Sequence, residues 1–177
     1  MKSLHTLLIF SFFLVFAASP LLTAYQLNSS SSDVSFEINN MGVAVSGSLS
    51  NPSGTVIFDP SDLAGSSINT SVKVNTVDTG IELRDKDLLK EEYFDVAKYP
   101  SISFVSSSIS KNGSGYQAKG TLSIKGKSKE INVPFTVENN VFKGKFNIDR
   151  LDFHVGEDSW ILGDEVRIKF TLPVTAK

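Results

Sequence analysis

The sequence predicts an all-β protein, a single antiparallel eight-stranded barrel with a short helical insert. Apolar and polar residues alternate with period two in many short segments, turn-forming residues separate these segments, and one charged segment at about residues 79–98 breaks the period. Successive side chains of a strand point to opposite faces, so each alternating segment has one apolar face. About eight such segments in one short chain favour a sheet that closes on itself.

The strands are justified in chain order by their alternation and by the turns between them. Asn39 and Asn40 predict a tight turn after the first strand, because Asn tolerates positive φ. Residues 51–54, 112–115, 125–127 and 139–140 mark later turns in the same way. The predicted strands are 34–38, 41–49, 55–59, 68–76, one that begins at Ile102, 116–124, 131–137, 142–148 and 166–174.

The helical insert is predicted where the period changes. Apolar residues are spaced irregularly among acids and bases from Ile81 to Val96, and Tyr99 and Pro100 end the segment. Thr79 followed by Glu82 fits a capping box at a helix start. The segment 79–98 therefore predicts one or two short amphipathic helices.

The N-terminus has the pattern of a secretory signal. Lys2 supplies a positive charge, residues 7–15 are largely apolar, and small residues follow up to Ala24. We expect cleavage after Ala24, a single domain over residues 25–177, and a periplasmic or secreted protein. No integral membrane segment is expected after signal removal, because the apolar run is too short to span a bilayer comfortably.

Composition narrows the chemistry. The chain has no cysteine, and His154 is the only histidine outside the signal segment, so disulfides, thiolate sites and paired-histidine zinc sites are excluded. A net charge of −2 gives no reason to expect nucleic acid as a partner. We expect no cofactor, no metal and no catalytic residue. One histidine with Asp152 and Asp158 nearby could supply a general base, although an isolated loop histidine usually does not.

Alternation alone does not say which way the apolar faces point. An outer-membrane barrel would turn them outward and would need girdles of Tyr and Trp, whereas this chain has one Trp and four Tyr. The charged insert also argues for apolar faces directed inward. An eight-stranded barrel can be filled by side chains or hold one slender ligand. The interior is therefore either a packed core or an apolar pocket.

Ordered motifs across the whole predicted domain resemble the YceI family of bacterial secreted proteins. Each motif is weak by itself, but their joint order and spacing is specific. The matching residues are Gly42-Val43, Gly47, Ile57-Phe58-Asp59-Pro60, Thr79-Gly80, Arg84-Asp85, Leu88, Phe94-Asp95, Tyr99-Pro100, Ile102, Phe104, Ser106, Gly120, Leu122, Ile124, Gly126, Pro134, Arg150, Phe153, Leu162-Gly163-Asp164 and Val166. The chain departs from the family pattern at His154, where a small residue or Gly is more usual.

The resemblance implies a lipocalin-like barrel whose lumen holds an isoprenoid chain, such as a polyprenyl alcohol or quinone tail, or another long amphiphilic lipid. It implies no defined catalytic activity, and a homodimer is plausible by analogy.

Candidate binding residues follow from bulk and position. Those expected in the lumen are Phe36, Val43, Phe58, Ile102, Phe104, Leu122, Phe135, Phe146 and Phe170. Those expected at the entrance are Ile81, Leu88, Phe94 and Trp160. Those expected to pair near the mouth or bind a head group are Arg84, Asp85, Arg150 and Asp164. For each lumen residue taken alone, core packing is the commoner role. A hydrophobic plug explains the four entrance residues as well as an entrance does, and surface ion pairs or turn stabilisation more often explain the four charged residues.

Two other function classes compete with a lipid carrier. One is a ligandless structural or stress-related barrel that acts through its surface, and the other is a hydrolase or isomerase acting on a lipid. Lipid extraction separates the carrier from the ligandless barrel. An activity lost on His154→Ala would favour the enzyme.

Overall fold

The computed structural model of the protein describes residues 23–176 as a closed, antiparallel, eight-stranded β-barrel with one short α-helix. The predicted signal segment lies, apart from Thr23 and Ala24, outside the described residues. Within residues 23–176, no helix is long and apolar enough to cross a membrane. The elements are β1 Ala24–Leu27, β2 Asp33–Asn40, β3 Val43–Leu49, β4 Ser53–Ile57, β5 Ser67–Lys73, β6 Val77–Asp78, α1 Glu82–Leu88, β7 Ser101–Asn112, β8 Gly115–Ile124, β9 Lys127–Glu138, β10 Val141–Asp149 and β11 Leu162–Ala176.

Eleven strand segments make eight barrel strands because three strands are interrupted. A 3-10 turn at Ser29–Ser31 separates β1 from β2, the bend at 50–52 separates β3 from β4, and a 3-10 turn at Val74–Thr76 separates β5 from β6. β11 pairs on one side with β10 and on the other with both β2 and β1, which closes the ring. Closure leaves no free sheet edge between the first and last strands.

Neighbouring strands of this barrel run in opposite directions, so their connections alternate between the two ends. We call one end the open end; it carries the turn 41–42, the segment 79–100, the turn 125–126 and the loop 150–161. We call the other the closed end; it carries the loop 58–66 and the turns 113–114 and 139–140. The two longest connections therefore lie together at the open end.

The first hairpin turn differs from the prediction. Asn39 and Asn40 belong to β2, and the turn consists of Met41 and Gly42, both with positive φ (52° and 80°). Gly42 suits this two-residue turn because it has no Cβ, and its N–H donates to Asn39 Oδ1 at 2.7 Å. The predicted turn at 139–140 is confirmed, with positive φ at both Asn residues.

The start of α1 also differs from the predicted capping box. Glu82 pairs with Lys86 at 2.6 Å instead of closing back on Thr79. The N–H and hydroxyl of Thr79 both donate to Asp85 Oδ1. The Asp85 side chain, within the helix, therefore holds the segment that leads into α1. Ile81, the residue before α1, makes no side-chain cap. The predicted helical insert at 79–98 is confirmed in place and shortened to a single seven-residue α-helix followed by turns.

Candidate functional site: an apolar cavity inside the barrel

The barrel encloses an apolar cavity of about 520 Å³. Alternate residues of its strands face inward; along β11, for example, Val166, Ile168, Phe170 and Leu172 line the cavity. The lining extends from Leu172 near the closed end to Leu162 at the open end. That is about 33 Å of strand, or roughly 25 Å along the axis of a barrel whose strands tilt by about 40°. The cavity is therefore long and narrow.

Aromatic packing fills the closed end. The Phe58 ring meets Tyr116 edge-on at 4.9 Å between centroids and Phe142 at 5.4 Å, while Phe135 stacks between Tyr116 and Phe142. Phe58, Phe135 and Phe142 are buried. Edge-to-face and offset-stacked pairs contribute about 0.5–1.5 kcal/mol each beyond the area that they bury. We call these four side chains the aromatic plug, because they bound the cavity at this end.

The middle of the barrel stays hollow partly because three inward-facing glycines let phenylalanine rings lie flat on the wall. Phe36 covers Gly47, its partner across the strand pair, and Phe170 covers its partner Gly144 in the same way. The Phe104 ring approaches Gly120. A Cβ on these glycines would lie only 2.4–2.7 Å from a ring carbon, so the ring would have to move. Gly47 and Gly144 thus hold two of the candidate rings against the backbone.

Ten of the thirteen predicted lumen and entrance residues line the cavity. This placement says which side chains a guest could touch and leaves their role in binding as a prediction. The ten are Phe36, Ile81, Leu88, Phe94, Ile102, Phe104, Leu122, Phe135, Phe146 and Phe170.

Val43, Phe58 and Trp160 do not line the cavity. Val43 lies on the inward-facing register of β3 but directly after the hairpin turn, beyond the level at which the barrel wall encloses its side chain, and it is exposed. Phe58 follows β4 and belongs to the aromatic plug. Trp160 is 88% exposed in the loop before β11. Alternation predicts the face of a residue, whereas its height along the barrel axis decides whether that face is enclosed.

The predicted pair Arg84 and Asp85 separates into two roles. Arg84 lines the cavity and donates from Nε to Thr79 Oγ1 and from Nη2 to Thr79 O, both at 2.7 Å. Asp85 accepts from Thr79 and does not reach the cavity. Both residues thus hold the start of the helical segment, and of this pair only Arg84 lines the cavity. Asp87 and Arg150 are the other charged residues of its lining.

The predicted pair Arg150 and Asp164 forms an ion pair in which only the arginine is buried, since the Asp164 side chain is 42% exposed. Arg150 is only 3% exposed, and its Nη2 lies 2.9 Å from Asp164 Oδ1. The same guanidinium donates to the carbonyl oxygens of Val155, Leu162 and Gly163 at 2.9–3.2 Å. Arg150 lines the cavity, but its hydrogen bonds hold the loop 150–161 against the start of β11.

His154 lies in a polar groove outside the cavity. Its φ of 55° is left-handed, which explains why a small residue or Gly is more usual there. Its carbonyl oxygen accepts from Lys125 Nζ at 2.7 Å, and the same Nζ donates to Glu92 O at 3.0 Å. Burial lowers the pKa of Lys125 from its ordinary value, against the opposing effect of Asp95, Glu91 and Glu92. Asp152 pairs with Lys129 at 2.8 Å, and within residues 23–176 neither Asp152 nor Asp158 forms a hydrogen bond with the His154 imidazole.

Lys125 thus ties two connections together on one side of the open end. Gly156 N–H donates to Glu92 O at 2.9 Å across the same junction. Beneath it, Tyr93 and Phe94 pack on Phe153 and Val155. We call this region, made of residues 92–99, 125–126 and 150–156, the tied side of the open end.

Sequence reasoning missed several lining residues. Phe153 and Val155 lie in a loop without periodicity, so only the three-dimensional packing reveals them. Leu83 also lines the cavity, but it is surrounded in the sequence by the charged residues of α1, so no apolar pattern indicated it. Asn40 lines the cavity near the open end, and its Oδ1 is the only buried side-chain oxygen or nitrogen in residues 23–176 without a hydrogen-bond partner. No one-dimensional signal marks such an unpaired acceptor.

Residues 25–174 match the YceI-like domain family. The chain belongs to the YceI-like family. Among curated relatives, a UPF0312 protein of Yersinia pestis (strain Pestoides F) is 30% identical over 146 residues, covering 76% of each chain. The predicted family membership is therefore confirmed.

Solved YceI-like structures share the barrel. BcnA of Burkholderia cenocepacia superposes with a TM-score of 0.79 at 35% identity, covering 84% of this chain and 99% of that one. A polyisoprenoid binding domain from Saccharophagus degradans, implicated in plant cell wall breakdown, superposes with a TM-score of 0.68 at 15% identity, covering 88% and 99%. The latter likeness concerns the fold alone. The predicted barrel class is confirmed by these comparisons and by the ring of strands.

Proposed function

We propose that this YceI-like protein is a periplasmic or secreted carrier that holds a long isoprenoid, such as a polyprenyl alcohol or a quinone tail, or a similar amphiphilic lipid, in its barrel. The observation that supports the proposal most directly is the long apolar cavity of about 520 Å³, closed by the aromatic plug at one end. Its volume lies within the range of about 300–1,000 Å³ typical of small-molecule sites. The polyisoprenoid-binding domain that shares this fold agrees with such a guest.

The physical chemistry of the lining suits a hydrocarbon chain. Each methylene moved from water into an apolar lumen contributes about 0.8 kcal/mol, so ten methylenes give about 8 kcal/mol before the cost of ordering the guest. Micromolar affinity corresponds to about 8 kcal/mol net, so a guest that buries more than ten methylenes can reach it without a charged anchor. Contacts of this kind select for length and width and discriminate weakly among head groups.

A polar head would lie at the open end in this arrangement. The one polar side-chain group of the aromatic plug, the Tyr116 hydroxyl, accepts from Lys111 Nζ at 3.1 Å, and Tyr116 does not line the cavity. Asn40 Oδ1 and the Arg84 guanidinium lie among the residues near the mouth. Asn40 can accept a hydrogen bond and Arg84 can donate one. A hydroxyl head group can donate to Asn40 Oδ1 and accept from Arg84, whereas a carbonyl head group can only accept from Arg84. Neither head group would add a charge to the cavity.

Solvent extraction followed by mass spectrometry tests the proposal. The chain is expressed with its N-terminal segment in a Gram-negative host, purified from the periplasm and extracted with organic solvent. We expect one long-chain lipid at near-stoichiometric amount, and saturable uptake of added decaprenol by delipidated protein. Repeated absence of lipid together with no uptake of decaprenol would favour the ligandless barrel. Chemical change of the lipid on incubation, abolished by His154→Ala, would favour the enzyme.

A further inference from the structure

Exposed apolar side chains of the barrel are concentrated at the open end. Seven of the eight large exposed hydrophobic residues in the described part of the chain lie in, or directly next to, the connections there, and the eighth, Val105, lies on the barrel wall. Tyr99 belongs to the tied side of the open end, and the other six lie on the half that is not tied. We call the six the apolar rim: Met41, Val43, Ile81, Leu83, Trp160 and Ile161.

The apolar rim forms one arc across three neighbouring connections. Met41 N–H donates to Ile161 O at 2.8 Å, which joins the first hairpin to the loop before β11. On the other side of the hairpin, β3 pairs with β6, and β6 leads directly to Ile81 and Leu83. The order of strands around the barrel therefore places Trp160 and Ile161, then Met41 and Val43, then Ile81 and Leu83 along one half of the open end.

The arc borders the cavity on the half of the open end that is not tied. Ile81 and Leu83 line the cavity from one side, and Leu162, next to Ile161, lines it from the other. On the opposite half, Lys125 and the Arg150 guanidinium hold the connections together. An apolar guest passing over the rim would stay in contact with hydrocarbon from the outside to the lumen.

The charges near the rim indicate which kind of surface fits. Residues 39–45 carry no charge, and residues 156–164 carry three acids and no base. Residues 79–90 carry three acids and three bases. Of the bases, Arg84 hydrogen-bonds to Thr79, and Lys86 and Lys90 pair with Glu82 and Asp87. The net charge of these three segments together is therefore negative. An anionic lipid surface would be repelled by this end, whereas a zwitterionic surface would not. Trp, Met and aliphatic side chains are the types that enter the interface of such a bilayer.

From these observations, we propose that the apolar rim docks on zwitterionic lipid bilayers, with Trp160 and Leu83 entering the interface. The purpose of docking rests on the proposed carrier function, because a docked carrier would move cargo between bilayer and lumen. Docking itself is a property of the protein surface and is measured without cargo.

The single Trp of the chain makes the test direct, because all tryptophan fluorescence reports from Trp160. Delipidated protein is titrated with phosphatidylcholine vesicles, with and without brominated acyl chains. We expect a blue shift, quenching by the brominated lipid and co-sedimentation with the vesicles. Binding should persist at high salt and weaken when phosphatidylglycerol is added. No shift and no co-sedimentation at millimolar lipid would overturn the proposal.

Matched variants keep Trp160 as the reporter. Leu83→Glu and Met41→Glu should each weaken vesicle binding about tenfold or more, because a large apolar side chain no longer enters the interface. Val105→Glu, on an exposed apolar residue of the barrel wall, should leave it unchanged. Equal loss in all three variants would contradict docking through the rim. A rim-dependent dimer in sedimentation, without vesicle binding, would assign the rim to a second copy of the chain.

Cargo content measured on the same samples separates this inference from the proposed function. If the protein binds vesicles but never contains lipid, docking through the rim is supported and the carrier function is rejected. If the protein contains lipid but never binds vesicles, the carrier function is supported and docking through the rim is rejected.

Discussion

The two ends of the barrel differ in how their inward-facing aromatic side chains pack. At the closed end, the Phe58 ring lies within 6 Å of Tyr116, Phe135 and Phe142, and Phe135 lies within 6 Å of Tyr116 and Phe142, so that the rings pack on one another. Towards the open end, rings such as Phe36 and Phe170 lie flat against glycines, and the centre is empty. Similar numbers of aromatic residues can therefore fill a barrel or line it, depending on what lies opposite each ring.

The largest expected effect is at the plug. Phe58→Ala should lower the free energy of unfolding by about 3–5 kcal/mol, because the deleted ring leaves a cavity among side chains that cannot collapse. Urea denaturation of the two proteins measures the loss. Phe36→Ala, which enlarges a void already present, should cost only about 1–2 kcal/mol. Equal losses would mean that the two ends are packed alike.

The next effect concerns the tied side of the open end. Arg150→Met should cost about 3 kcal/mol, because removal of the guanidinium leaves the carbonyl groups of Val155, Leu162 and Gly163 without their donors. Thermal unfolding measures the loss, and Arg150→Lys should restore only part of it, since an ammonium cannot reproduce the planar set of donors. Uptake of decaprenol by the folded fraction should remain. Full stability of Arg150→Met would show that the hydrogen bonds and the ion pair of the buried guanidinium contribute nothing.

A third variant tests which face of the wall is the lumen. Phe104→Asp should abolish uptake of decaprenol and cost roughly 2 kcal/mol of stability, since it places a carboxylate in an apolar cavity. Val105→Asp, on the next residue and the opposite face, is the matched control and should change neither. Isothermal binding and melting temperature are the two measurements. If the two variants behave alike, the inward face of β7 is wrongly assigned.

The smallest effect should come from a single methyl group. Gly47→Ala would push the Phe36 ring into the lumen, because the three atoms nearest to the new Cβ are side-chain atoms of Phe36 and Thr79. Affinity for decaprenol should fall about tenfold, or about 1.4 kcal/mol, with little change in stability. Adding Phe36→Leu should recover most of the loss, and Ser46→Ala on the outward face of β3 should have no effect. Gly120 and Gly144 are poorer choices, since backbone oxygens also lie 2.4 Å from their Cβ positions.

Much of this architecture could be predicted from the chain. The inward positions of Phe104, Leu122 and Phe170 follow from period-two alternation, because a strand side chain has only two directions available. The exceptions have a common cause. Val43 and Trp160 have large apolar side chains, but they lie too far along the barrel axis for the wall to enclose them. Phe153 and Val155 reach the cavity from a loop whose sequence has no periodicity. Distance along the barrel axis depends on register and on where turns fall, as the two-residue shift of the first hairpin shows.

By itself, the sequence determined the strands, their apolar faces, the helical insert and family membership, because these depend on local spacing and on ordered motifs. Only the tertiary structure decided that the barrel is hollow, that it is closed by aromatic packing at one end, and that its opening is bordered by the apolar rim. The direction in which a side chain points is a property of its own strand. Whether the barrel interior is filled depends on the volumes of the side chains that all eight strands contribute at the same level of the barrel axis, and these side chains meet only when the ring closes.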